Sequence, residues 1–218
     1  MSKMKQYREQ NPHNLTQAQL SKIELELETP SKGTISDECL DYELWCQGLK
    51  SRQENFADYI DKFIAGQGVK HILEVGGGRL GRLSLLLAER GYHMTCMDPK
   101  LELESQPLVQ AIRETFDYRT ASLDGYDLVI GEEPCEAAEH IVRACLEQKV
   151  PFIVALCGAP HKLITGEQPK DVWEWYDYLK NIDRGHTEME VVKLYGSISV
   201  MFIRSFPMTA AEPSQKVT

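Results

Sequence analysis

Residues 71–99 of this chain predict a strand, a glycine loop, a helix and a second strand, in that order. The loop holds Gly76, Gly78 and Gly81 in the spacing G-x-G-x-x-G, and Asp98 follows the second strand. This order is the sequence form of a βαβ unit that cradles a nucleotide. The alternative is a plain glycine turn without a ligand, in which Asp98 only caps a helix.

Each part of this unit has a physical role. The apolar residues Ile72, Leu73 and Val75 predict a strand that is buried on both faces. Gly76 permits a sharp exit from the strand, and Gly78 lets the backbone approach a ligand because it has no Cβ. Gly81 lets the next helix pack closely on the sheet, and the N-terminus of that helix offers unpaired N–H groups to a ligand. Asp98, at the carboxyl edge, can accept hydrogen bonds from two ribose hydroxyls.

Periodicity predicts the remaining elements. Helices are predicted over 37–49, 51–65, 83–90, 107–116, 136–148 and 171–179, and strands over 72–75, 92–97, 116–121, 126–130, 150–156, 189–195 and 197–205. Alternating strands and helices indicate an α/β fold with a doubly wound, mostly parallel sheet, preceded by N-terminal helices. The turn at Gly196 is too short for a crossover, so the last two strands must form an antiparallel pair.

The chain has 218 residues, enough for one sizeable domain with additions. We expect a helical extension over 1–50, a Rossmann-like domain over 51–206 and a flexible tail over 207–218. The N-terminus lacks the apolar core of a secretory signal, and no apolar run reaches about 18 residues. These features predict a cytoplasmic protein with no membrane partner.

The net charge and the cysteine spacing disfavour nucleic-acid and metal partners. The formal net charge of −9 disfavours a large basic surface for nucleic acid. The six cysteines form no C-x-x-C pair, so we expect reduced thiols and no metal site. The oligomeric state is left open.

The closing antiparallel pair and the motif at the first strand resemble the class I S-adenosylmethionine-dependent methyltransferases over about residues 50–205. The first motif of that family is an acidic residue, x, Gly, x, Gly, which stands here as Glu74-Val75-Gly76-Gly77-Gly78. The resemblance implies S-adenosylmethionine as cofactor, with Glu74 near the methionine amino end and Asp98 on the ribose. It also implies that Gly76 and Gly78 line the cofactor. With the neighbouring candidates, the predicted cofactor site comprises Glu74, Gly76, Gly77, Gly78, Arg79, Gly81, Asp98 and Leu123.

For two residues of the predicted cofactor site, Arg79 and Leu123, the sequence suggests more specific roles. Arg79 lies inside the loop, where it can meet a carboxylate of the cofactor or substrate or be simply exposed. The segment between Asp98 and Tyr126 is short, so the third strand and its helix are expected to be reduced or missing. Leu123, with its two neighbours in sequence, is then a candidate for the adenine pocket.

The predicted catalytic residues are Glu132, Glu133 and His161. The two glutamates follow a central strand, at the position of the family's fourth motif, where one could orient an amine or phenol or act as a base. They could equally form a solvated acidic loop. His161 would project from the same edge as a base or lie in a surface loop. Cys157 as a nucleophile lacks an evident partner base in the sequence.

These residues predict S-adenosylmethionine-dependent methyl transfer to a small-molecule or protein acceptor. The fourth motif is not Asn-Pro-Pro-Tyr, which disfavours methylation of DNA bases. One alternative is a regulatory module that binds S-adenosylmethionine or a nucleotide without turnover. Another is an NAD-dependent oxidoreductase, although nicotinamide dehydrogenases usually carry an apolar residue where Glu74 stands.

Overall fold

The computed structural model describes residues 6–7, 42, 44–182, 188–194 and 197–204. Its strands are β1 His71–Val75, β2 His93–Met97, β3 Val109–Ile112, β4 Leu128–Glu132, β5 Phe152–Leu156, β6 Glu188–Leu194 and β7 Ser197–Arg204. The helices over 52–182 are α1 Arg52–Ile64, α2 Arg82–Glu89, α3 Ala137–Gln148 and α4 Val172–Ile182.

All the strands belong to one seven-stranded sheet with the order β3-β2-β1-β4-β5-β7-β6. The five strands from β3 to β5 in this order pair in parallel, and β7 is antiparallel to both β5 and β6. This arrangement confirms the predicted α/β fold class. The strand order reverses between β1 and β4, and ligands of open α/β sheets bind outside the carboxyl ends of the strands at such a switch point.

The core lies on both faces of the sheet. One apolar cluster packs α1 and α2 on the sheet, with Phe56 and Leu87 fully buried. The other packs α3 and α4 on the opposite face, with Ile141 and Leu179 fully buried. Ile72 of β1 packs into the first cluster, whereas Leu73 and Val75 pack into the second, so the strand is buried on both faces.

Two predicted elements between β2 and β4 are wrong. The helix expected over 107–116 is replaced by β3, which follows a tight turn in which Leu108 has a φ of 64° and Gln106 pairs with Val109. The strand expected over 116–121 is a turn closed by the Asp117 carbonyl, which accepts the amides of Thr120 and Ala121 at 3.1 and 2.9 Å. The third strand is therefore present but four residues long, and residues 113–127 contain no helix.

Most other predicted elements over 51–204 are confirmed with small changes in their ends. The strand expected over 126–130 begins and ends two residues later, as β4, and the helix expected to end at Leu179 continues to Ile182. The helix predicted over 37–49 falls partly outside the described residues; within it, residues 42 and 44–46 are helical. The tail over 207–218 and most of the extension over 1–50 lie outside them as well, so the domain boundaries stay predictions.

Within the described part of the chain, no helix combines the length and the apolar character that a bilayer crossing requires.

Candidate active site

The glycine loop leads from the carboxyl end of β1 into α2 and contacts the carboxyl end of β2. Gly76 and Gly78 have φ values of 79° and 65°, which L side chains rarely adopt. The Gly76 amide donates to the Met97 carbonyl at 2.9 Å, and the Gly78 amide donates to Asp98 Oδ2 at 3.0 Å. A Cβ added at Gly78 would meet no atom within 4 Å, so the space above this residue is open to a ligand.

The other glycines of the loop are required by packing. A Cβ at Gly77 would lie 2.4 Å from Cys96 Sγ, and one at Gly81 would lie 2.8 Å from Leu103 Cδ2. A Cβ at Gly76 would lie 2.9 Å from Pro134, in the loop after β4. These glycines hold the loop against the sheet and its neighbours, while Gly78 is the one that faces open space.

Glu74 stabilises the start of α2. Its side chain is buried, and Oε2 accepts the Ser84 amide at 3.0 Å together with the Ser84 hydroxyl. The helix needs this acceptor because its N-cap residue, Gly81, has no side chain to cap it. Burial raises the pKa of the Glu74 carboxyl, and the Ser84 hydrogen bonds oppose the rise. Contact of Glu74 with the methionine end of a cofactor stays a prediction.

Asp98 faces the glycine loop from the end of β2. One carboxylate oxygen accepts the Gly78 amide, and the other accepts the Lys100 amide at 2.7 Å. Arg79 points elsewhere: it forms an ion pair with Glu102, and its side chain is 64% exposed. The predicted contacts of Asp98 with a ribose and of Arg79 with a carboxylate remain to be tested.

Leu123 lies in the core beneath α3 and is only 1% exposed. Its amide donates to Gln148 Oε1 at 2.7 Å, and Gln148 Nε2 donates to the Ala121 carbonyl at 2.9 Å. These bonds fix the loop before β4. The proposed role of Leu123 in the adenine pocket stays a prediction.

Glu132 and Glu133, at the carboxyl end of β4, share one cation that the sequence analysis did not identify. Arg52 Nε donates to Glu132 Oε1 at 2.8 Å, and Arg52 Nη1 donates to Glu133 Oε1 at 2.9 Å. Arg52 is the first residue of α1, whose start is fixed by a capping box between Ser51 and Glu54. The helix thus holds its first side chain over the end of β4.

The two glutamates differ in environment. The Glu132 side chain is 9% exposed and the Glu133 side chain 37% exposed. Burial raises the pKa of the Glu132 carboxyl from 4.5 to about 7, and the Arg52 cation opposes this rise. The charge of Glu74 also contributes to the rise, so the acidic groups of β1 and β4 interact at the switch point. Glu132 is therefore suited to accept a proton near neutral pH.

His161 does have a partner, which corrects the view that Cys157 lacks one. His161 Nε2 lies 2.8 Å from Cys157 Sγ, and the His161 ring packs edge-on against Trp175 with centroids 5.1 Å apart. A hydrogen bond from Cys135 lowers the pKa of the Cys157 thiol to about 5, and His161 acts in the same direction, whereas burial opposes it. Cys135, which is exposed, thus joins a group that the sequence did not predict.

Apart from Leu123, which lies in the core, the predicted residues fall into two groups along one edge of the sheet. The first group, at the ends of β1 and β2, comprises Glu74, the glycine loop and Asp98, and the second, at the ends of β4 and β5, comprises Glu132, Glu133 and His161. Pro134 joins the two groups, because it follows the glutamates and packs against Gly76. The arrangement can hold a ligand at the first group and expose it to a base at the second.

No protein-family model and no curated protein matches this chain, but solved structures do. The bifunctional kinase-methyltransferase WbdD is 17% identical over 71% of this chain and 39% of its own, with a TM-score of 0.48. The human methyltransferase 10 domain containing protein is 12% identical over 71% of this chain and 80% of its own, with a TM-score of 0.47. The plantazolicin methyltransferase BpumL, in complex with SAH, is 12% identical over 71% and 83%, with a TM-score of 0.41.

The chain spans less than half the length of WbdD. At these identities and TM-scores, the likenesses carry no argument about function. The chain itself has an α/β fold with a Rossmann-like sheet that is parallel from β3 to β5 and in which β7 is antiparallel.

Proposed function

We propose that this protein transfers the methyl group of S-adenosylmethionine to a small-molecule or protein acceptor. The observation that carries the proposal is the hydrogen bond of 3.0 Å from the Gly78 amide to the Asp98 carboxylate, with open space above Gly78. It joins the glycine loop after β1, beside the switch point of the sheet, to the acidic end of β2, and such folds bind nucleotides at this edge.

The groups at this site are suited to bind S-adenosylmethionine. Asp98 would accept hydrogen bonds from the ribose hydroxyls, and the backbone of Gly78, which faces open space, would allow close approach. When bound, S-adenosylmethionine supplies an already activated methyl group on a sulfonium. The remaining tasks of the protein are to orient the acceptor and, where it carries a proton, to remove that proton.

Glu132 is our candidate for that base. A carboxyl with a pKa of about 7 is partly ionised at neutral pH and can both accept and release a proton. Arg52 would orient Glu132 through the hydrogen bond at 2.8 Å, and the more exposed Glu133 would contact the acceptor. His161 is a second candidate on the β5 side of the same edge.

A cofactor-binding module without turnover is the second candidate function. It is favoured by the ion pairs of Arg52, because both glutamates of the predicted acceptor side already have a partner within the chain. Such a module would bind S-adenosylmethionine at Asp98 and leave Glu132 without a catalytic role.

Release of S-adenosylhomocysteine from S-adenosylmethionine distinguishes these functions. Purified protein is incubated with panels of amines, phenols, thiols and small proteins, and the wild type is compared with Glu132→Gln and with the matched exposed control Glu114→Gln. We expect acceptor-dependent release that falls by about a hundredfold in Glu132→Gln, as is usual for loss of a general base. Cofactor binding with no release for any acceptor would favour the module.

A further inference from the structure

Three side chains of the metal-ligating type converge beside the proposed acceptor side. They are Cys135, Cys157 and His161, and their ligand atoms all lie within 4.8 Å of one another. Cys135 follows β4 and Cys157 follows β5, and these strands pair in parallel with Glu132 opposite Ala155. Because the carboxyl ends of parallel neighbours meet, the sheet itself brings the two sulfurs together.

Each of the three residues is positioned by its surroundings. The Cys157 carbonyl accepts the Tyr176 hydroxyl at 2.9 Å, which ties the end of β5 to α4. Cys135 has a φ of 53°, and its carbonyl accepts the Ala138 amide at 3.1 Å in the turn that leads into α3. His161 is held against Trp175 with its Nε2 atom towards Cys157. The cluster is thus fixed from two helices and two strands.

We propose that Cys135, Cys157 and His161 bind a zinc ion. Two sulfurs and one imidazole nitrogen are the donor set that zinc prefers, whereas magnesium and calcium require oxygen ligands. Three protein ligands leave a fourth tetrahedral position for water or a substrate atom. Cys135 is exposed and provides an entry path for the ion.

The present distances require only a local adjustment. In tetrahedral zinc sites the metal–sulfur and metal–nitrogen bonds place a sulfur and a nitrogen about 3.5 Å apart. Cys157 Sγ and His161 Nε2, now 2.8 Å apart, must therefore separate by roughly 0.7 Å, which side-chain rotation can supply. Binding would replace the hydrogen bond between them with two bonds to the metal, and the thiol protons would leave to solvent.

The three ligands lie near the glycine loop, because Pro134, the residue before Cys135, packs against Gly76. They follow β4 and β5 at the same edge of the sheet as Glu132 and Glu133. The existence of the metal site does not depend on methyl transfer. Metal binding can be measured with no cofactor or acceptor present, so its failure is distinguishable from failure of the proposed function.

The test uses the full chain, reduced, loaded with zinc chloride and passed through a desalting column. Bound zinc is measured by mass spectrometry, and a parallel sample with cobalt is examined for the sulfur-to-cobalt charge-transfer absorption that thiolate ligation produces. Variants Cys135→Ser and His161→Gln are compared with Cys46→Ser, which alters a half-buried cysteine outside the cluster. Circular dichroism checks that each variant is folded.

We expect one zinc ion per chain and thiolate-to-cobalt absorption in the wild type and Cys46→Ser. The affinity for zinc should fall more than about tenfold in Cys135→Ser and His161→Gln. Loss of a residue that only hydrogen-bonds to a metal ligand already weakens metal binding by about that much. Three results would overturn the proposal: no retained metal in the wild type, equal retention in the folded cluster variants, or cobalt spectra without thiolate bands. A reduced cluster that stays metal-free but forms a Cys135–Cys157 disulfide on air oxidation would instead identify a dithiol pair.

Discussion

Arg52 and Glu132 are 80 residues apart in sequence, yet the Arg52 Nε atom donates to Glu132 Oε1 at 2.8 Å at the switch point of the sheet. Both side chains are largely buried, at 16% and 9% exposure. The pair links the first turn of α1 to the end of β4. It therefore connects the stability of the fold to the protonation of the residue that we propose as the base.

Loss of the arginine should destabilise the protein in a pH-dependent way. Arg52→Met leaves the Glu132 carboxylate buried without its cation. Because breaking a buried ion pair is strongly destabilising, we expect the free energy of unfolding at pH 8 to fall by about 3 kcal/mol. The cost should shrink near pH 5, where the unpaired carboxyl is protonated. Urea unfolding at both pH values measures this, with the exposed Arg119→Met as the matched control. Equal losses at both pH values would contradict the assignment.

Glu132 should also make the wild type less stable as pH rises. Its carboxyl has a pKa of about 7 when folded and about 4.5 when unfolded, so the folded state binds more protons between these values. The free energy of unfolding therefore falls as pH increases through this window, with a contribution of about 2 kcal/mol between pH 5.5 and 7.5.

Comparison with Glu132→Gln isolates that contribution. The buried Glu74 carboxyl, whose pKa is also raised by burial, gives a slope of the same sign and remains in the variant. The variant should therefore lose stability less steeply than the wild type over this range, and Glu114→Gln should follow the wild type. Identical slopes for wild type and Glu132→Gln would show that Glu132 titrates normally.

The packing of the glycine loop predicts a coupled pair of substitutions. Gly77→Ala places a Cβ 2.4 Å from Cys96 Sγ and should cost about 2 kcal/mol of stability through overpacking. Cys96→Ala removes the clashing sulfur, so the double variant should recover about 1 kcal/mol relative to additive losses. Urea unfolding of the two single variants and the double variant gives the coupling. A strictly additive result would mean that the loop moves away from Cys96.

A buried network should hold the loop that carries His161. Glu139 Oε2 accepts the Ile164 amide at 2.8 Å, and Glu139 Oε1 accepts the Tyr178 hydroxyl at 2.7 Å. Glu139→Gln should speed hydrogen exchange in residues 158–170 and cost about 2 kcal/mol, since hydrogen bonds to charged groups contribute that much. Glu147→Gln, on the exposed face of the same helix, is the control. Unchanged hydrogen exchange in residues 158–170 would show that the network stabilises only α3 and α4 and not this loop.

The sequence predicted the elements whose signals are local. The apolar run of β1, the glycine spacing and Asp98 lie within one βαβ unit, and the structure brings Gly78 and Asp98 into contact. The strand β3 was missed because Leu108, Ile112 and Phe116 also fit a helical spacing. A strand of four residues offers too few positions to outweigh that pattern.

The parts of the site that were missed depend on contacts between distant segments. Nothing near Arg52 in the sequence indicates that the first turn of α1 lies over β4. The grouping of Cys135 with Cys157 and His161 follows from the pairing of β4 with β5 and from the loop path before α4. Cysteine spacing alone could not predict it, because the sheet sets the separation.

Whether this sheet binds the proposed cofactor is decided by calorimetric titration of the wild type and Asp98→Ala with S-adenosylhomocysteine, with NAD as the comparison ligand. We expect micromolar binding of S-adenosylhomocysteine to the wild type and no detectable binding of NAD. Asp98→Ala should weaken the binding of S-adenosylhomocysteine at least about tenfold, and the exposed control Asp177→Ala should leave it unchanged. Binding of NAD instead, or affinity for S-adenosylhomocysteine that does not depend on Asp98, would refute the assignment of this cofactor.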